Sequence, residues 1–140
     1  MERIRQKTGR IREHLAFLRS IRGECTERFE SDRIYRGALL HYLYLLADSC
    51  IVLGELVIKR EKFRPPQSYA EVFDILGENG VLDSGFAYRF AAIAGFRTFL
   101  AQDYDRIDGA FVCEHILAKL DEVDEYLHQV EGYLSQRVAD

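Results

Sequence analysis

Apolar residues recur along this chain at helical spacing almost from end to end. In the first segment Ile4, Ile11, Leu15, Leu18 and Ile21 share one face, between arginines that would face water. This helix is expected to end in the polar stretch around Arg22 to Ser31. A second helix runs from about Asp32, a good N-cap, to near Phe63, where Pro65-Pro66 removes backbone donors and disfavours helical geometry in the preceding residue. Ser68-Tyr69-Ala70-Glu71 has the form of a capping box and predicts a short helix to Leu76, ending around Gly77 to Gly80. Asp83 or Ser84 caps a fourth helix reaching roughly Ala101, and Asp108 caps the last one. There Cys113, Ile116, Leu120, Val123, Leu127, Val130 and Leu134 step alternately by three and four, a narrow seam of bundle type, which makes this the most regular helix expected. No run has strand period, no segment repeats and no linker divides the chain. The fold expected is all-α: a single domain over 1–140, an antiparallel bundle of about five helices, four long and one short.

At 140 residues, with 48% hydrophobic and 30% charged side chains, the composition is that of a globular domain. The polar, basic start (Met1-Glu2-Arg3-Ile4-Arg5-Gln6-Lys7) is no signal peptide. The apolar stretch from Ala38 to Ile58 approaches membrane-spanning length, but His41, Asp48 and Glu55 within it favour a buried helix over contact with a membrane. Cys25, Cys50 and Cys113 are odd in number and widely spaced. They cannot complete a disulfide framework and form no metal-ligand motif, so a reducing, cytoplasmic setting is the simplest expectation.

Charge is uneven. Residues 1–36 carry ten basic and six acidic side chains, and residues 101–140 carry three basic and ten acidic ones. Such asymmetry allows a basic surface for phosphates on a chain of net charge −4, or simply solvated helix faces.

His41, Asp48 and Glu55 lie seven apart and so form one polar stripe on a helix that is otherwise apolar nearly all round. The stripe either faces solvent or lines a cleft within the subunit or between two copies. Asp48, set among Leu46, Ala47, Cys50 and Ile51, needs a cationic or hydrogen-bonding partner. A helix apolar on most sides needs neighbours on most sides, which points to homodimerisation through the second and fourth helices. His14 and His128 are expected on outer faces, and His115 as a structural histidine. No histidine–carboxylate spacing supports a metal site, and no phosphate loop or nucleophile elbow is present. Neither metal nor cofactor is expected.

The segment Ala94-Gly95-Phe96-Arg97-Thr98-Phe99-Leu100-Ala101-Gln102-Asp103-Tyr104 is similar to a hallmark motif, Gly-Phe-Arg-Asn-x-x-x-His-x-Tyr, of one small helical family. Upstream, Arg64-Pro65-Pro66-Gln67-Ser68-Tyr69-Ala70-Glu71-Val72-Phe73, then Leu76 and Gly80-Val81-Leu82, look like the same family's loop and short helix. Over nearly its whole length the chain resembles the HepT-like toxins of the HEPN superfamily. The resemblance implies a dimeric helical bundle that cleaves RNA without metal at a cleft between protomers. It also implies a nucleotidyltransferase (MntA-like) antitoxin partner that transfers AMP to the motif tyrosine.

By position the catalytic residues implied are Arg97 and Gln102, the modified residue is Tyr104, and Asp48 and Asp103 are candidates to line the cleft. A guanidinium suits the charge that builds when a ribose 2′-hydroxyl attacks phosphorus, and an imidazole suits the accompanying proton transfers. Thr98 stands where asparagine is usual and Gln102 where the histidine is. Glutamine cannot shuttle a proton, so activity is expected to fall unless another group substitutes. Tyr104, Asp103 and His115 are the candidates near in sequence. Without the resemblance, Arg97 would be read as complementing a helix C-terminus and pairing with Asp103 or Asp105, and Tyr104 as a packing residue on a turn. The alternative to a ribonuclease toxin is a catalytically degenerate helical dimer that binds a nucleotidyltransferase or RNA.

Overall fold

A computed structural model describes residues 1–139. Most of it lies in five helices, and no strand occurs among the described residues: α1 (Glu2–Ile21), α2 (Arg33–Glu61), α3 (Tyr69–Glu78), α4 (Ser84–Phe90 continuing past Ala91 as Ala92–Asp103) and α5 (Leu120–Ala139), joined by loops and short helical turns. The expected caps form. Asp32 accepts a hydrogen bond from the Tyr35 N–H, Ser68 from Glu71, Asp83 from Phe86, and Asp108 from Ala110. Helix α2 stops at Lys62, which takes a left-handed conformation (φ 60°), three residues ahead of the first proline.

Cross-chain contacts give the directions. Arg19 of α1 pairs with Asp121 and Asp124, and Arg12 with Glu131, so α1 runs antiparallel to α5. The Tyr126 hydroxyl donates to the Cys50 carbonyl at 2.7 Å, and Glu61, nearly buried, receives Tyr133 and Arg137 at 2.8 Å each. Helices α2 and α5 are therefore parallel. The charge asymmetry is thus partly structural: the basic first helix and the acidic last one neutralise each other along their shared edge.

Helix α2 is the centre of the bundle. Leu39, Leu43, Leu46, Cys50, Leu53 and Val57 are buried in one continuous core with Leu15, Phe73, Phe90 and Tyr126. By length and composition α2 is the one helix among the described residues that could cross a membrane; 56% of its apolar window is buried within the bundle. Gly54 is required by a close approach: a Cβ there would lie 2.5 Å from a Val72 methyl and 3.1 Å from the Tyr126 hydroxyl.

Three expectations are corrected. The last helix is irregular at its start. An α-turn (Gly109–Phe111) leads into a π-turn (Val112–Ile116) and a 3-10 turn (Leu117–Lys119) before regular helix begins at Leu120. The seam holds from Leu120 to Leu134, but ahead of it Val112 and Leu117, five apart, take the buried places expected for Cys113 and Ile116, because a π-turn inserts an extra residue. Cys25 and Cys113, 88 residues apart, form a disulfide with Cα atoms 5.6 Å apart, leaving only Cys50 as a free thiol. Burial pushes that thiol's pKa well up and keeps it protonated. Finally, His14 is 8% exposed, not on an outer face; its ring meets Tyr42 edge-on at 5.6 Å.

Candidate functional site

The second half of α4 buries Ala94 and Leu100 against α2, which turns Arg97 towards the polar stripe of that helix. The Arg97 Nε donates to Asp48 Oδ1 at 3.2 Å and its Nη2 donates to the Tyr44 hydroxyl at 3.0 Å. The guanidinium also lies 5.2 Å from the Tyr44 ring centroid and 4.9 Å from that of Tyr69, at the start of α3. Two aromatic faces and one carboxylate thus fix the fork, the arrangement in which arginine rather than lysine is useful. Its Nη1 has no partner among the described residues. Desolvation pulls the Arg97 pKa down, but the hydrogen bond to Asp48 and the oxygens of Tyr44 and Tyr69 outweigh it, and the net shift is upward. The side chain of Arg97 is 20% exposed and that of Asp48 39% exposed, so solvent and ligand can reach the pair.

The Arg97–Asp48 pair decides between the readings of the stripe. Arg97 does not pair with Asp103 or Asp105; its carboxylate is Asp48, on another helix. Asp48 faces α4, while Glu55 at the far end of the stripe is exposed, with its pKa raised by desolvation and by the Asp48 charge. His41, at the near end, lines an open groove beside the pair. The groove runs between Leu40, His41 and Tyr44 of α2 and Leu100, Ala101 and Tyr104. Tyr104, in the 3-10 turn that ends α4, is 58% exposed.

The motif residues therefore separate. Arg97, Ala101 and Tyr104 share one helical face, on which Ala101 and Tyr104 line the groove and Arg97 reaches it only through its partner Tyr44, whereas Gln102, five residues past Arg97, is exposed and is not among the groove residues, nor is Asp103. Thr98, in place of asparagine, donates its hydroxyl to the Ala94 carbonyl of its own helix at 3.2 Å. His115 is exposed and lies against Phe111 on the π-turn. Sequence reasoning missed Tyr44 and Tyr69 as holders of Arg97. Tyr44 had a signal, being one turn from Asp48 on the same face; Tyr69 had none. Among the described residues no three His, Cys, Asp or Glu side chains gather to hold a metal ion.

A family profile described as ribonuclease HepT-like matches residues 11–130. The chain belongs to the HepT-like family. No curated protein sequence matches it closely. Several solved structures share the HepT-like fold. A Bacillus subtilis cytosolic protein of unknown function, YutE, superposes with a TM-score of 0.84 at 21% identity, over 99% of this chain and 93% of its own. A toxin–antitoxin complex with AMP-PNP gives 0.82 at 16%, covering 94% and 99%. A tri-AMPylated Shewanella oneidensis HEPN toxin, in complex with its MNT antitoxin, gives 0.79 at 17%, covering 92% and 96%. At these identities the likeness is one of fold.

Proposed function

We propose that this HepT-like chain is the toxin subunit of a toxin–antitoxin pair, a ribonuclease that needs no metal and works in the cytoplasm at a cleft formed with a second copy. One observation carries the reading: Arg97, at the motif position, is held by Asp48, Tyr44 and Tyr69 with Nη1 free, and the Tyr44 that holds it lines the groove that also contains the exposed Tyr104. A guanidinium fixed in this way can stabilise the charge of a phosphorane-like transition state without reorganising. The dimer is supported by the exposed face of α4, where Ala92, Gly95 and Phe99 meet no neighbour large enough to cover them.

The partner is a nucleotidyltransferase antitoxin that transfers AMP to the Tyr104 hydroxyl. The family assignment and the AMPylated state of the Shewanella toxin support this. Tyr104 is accessible to such an enzyme, and an added phosphate would bring bulk and negative charge into the groove lined by Tyr44, the partner of Arg97. RNA would be excluded by both.

Cleavage of single-stranded RNA by the purified protein in chelator tests this reading. Cleavage that disappears in Arg97→Ala supports it; unchanged cleavage in that variant overturns it. A second reading, a degenerate subunit that keeps the fold and the antitoxin surface but not the chemistry, is favoured by Gln102 itself. If Gln102→His alone gains cleavage, the second reading stands.

A further inference from the structure

We propose that His41 is the imidazole that accepts the 2′-hydroxyl proton in this chain, supplying from α2 what the motif lacks at Gln102. The inference rests on the ribonuclease reading above. Its basis is where the chain's four histidines stand. His14 is enclosed between α1 and α2. His115 lies against Phe111, and His128 borders a separate depression with Gln129 and Gly132. Only His41 lines the groove that contains Tyr104. It precedes Tyr44 by three residues on the same face, and Tyr44, which accepts the Arg97 hydrogen bond, lines the same groove as His41. The His41 ring stands edge-on to Tyr42 at 5.7 Å, which limits its orientation while leaving it open to solvent.

The step balances with these groups alone. The imidazole takes the proton from the 2′-hydroxyl as that oxygen bonds to the adjacent phosphorus. The bond from phosphorus to the 5′ oxygen breaks, and that oxygen takes a proton from solvent. The imidazolium then returns its proton to solvent. The products are a 2′,3′-cyclic phosphate and a 5′-hydroxyl, and Arg97 bears the charge that accumulates between them.

The test compares wild type, His41→Gln, Gln102→His, the double variant and Arg97→Ala on a single-stranded RNA oligonucleotide in chelator. Rates, end groups, RNA affinity and melting temperature are measured for each. The expected result is cleavage by wild type to cyclic-phosphate ends, and a loss of about 10²–10⁴-fold in His41→Gln with affinity and melting temperature kept. Restoration is expected in the double variant, where a histidine returns to the motif position. Equal rates for wild type and His41→Gln overturn the role of His41, while loss in Arg97→Ala still upholds the ribonuclease. A silent wild type beside an active Gln102→His also overturns it. Silence in every variant removes the ribonuclease reading, and the role of His41 with it.

Discussion

Arg97 and Asp48 are 49 residues apart in sequence and meet at 3.2 Å across the α2–α4 interface, with Tyr44 holding the second arm of the same guanidinium. Neither helix alone contains a site. The pair joins a partly buried carboxylate of α2 to the motif arginine of α4 and leaves Nη1 of the fork without a partner among the described residues.

If Asp48 positions Arg97, Asp48→Ala should lower kcat for RNA cleavage by about 10²-fold, the scale set by misplacing a catalytic group by roughly an ångström. KM should not rise, because removing a carboxylate favours an anionic substrate. Steady-state kinetics at fixed salt checks this. A raised KM with intact kcat would show that Asp48 contacts substrate and does not act through Arg97.

The His14 pKa is lowered, first by burial and then by the neighbouring Arg10 charge, with Lys7 and His41 adding to the effect and Glu13 opposing it. The unfolded chain, with an ordinary imidazole pKa of about 6.5, therefore binds a proton that the native one refuses. Stability is complete above that pH, falls as pH drops below it, and levels off below the native pKa. The melting temperature of His14→Gln should depend less on pH as it falls below about 6.5 than that of wild type. Parallel profiles would refute the assignment.

Gly54→Ala should destabilise the bundle by up to about 2 kcal/mol. Alanine improves helix propensity by about 1 kcal/mol, but overpacking a close-packed core costs about 1–3 kcal/mol. Here the new methyl meets stiff, fully buried Val72 and a Tyr126 hydroxyl already committed to the Cys50 carbonyl. Urea unfolding reads the difference, and an unchanged midpoint would mean that α2 and α3 separate freely.

The Cys25–Cys113 bond closes a long loop between the turn after α1 and the π-turn before α5. Protein purified in air should react with one thiol-alkylating group when denatured and with three after reduction. Reduction should cost about 2–4 kcal/mol of stability. Three reactive thiols without reductant would show that the pair stays open, as it would in a reducing cytoplasm.

The helices and their caps were legible because both are local. Asp32, Ser68, Asp83 and Asp108 each bond a backbone N–H two or three residues on, so a few consecutive residue types contain all the information. The match of Arg97 and Tyr104 to the motif is local in the same way, since it lies within eleven consecutive residues. Asp48 was singled out correctly as a carboxylate needing a partner, since the apolar residues around it are its own helical neighbours.

What required tertiary structure was every choice among distant partners. Arg97 had Asp103 and Asp105 close in sequence, yet α4 turns it the other way, onto Asp48 and between Tyr44 and Tyr69. His14 looked like a surface residue among charges until α2 covered it, and Cys25 and Cys113 became a pair only when α1 folded back along α5. Helical period is written in neighbouring residues; which faces meet depends on how whole helices settle their apolar area, and that sum is not available to any one segment.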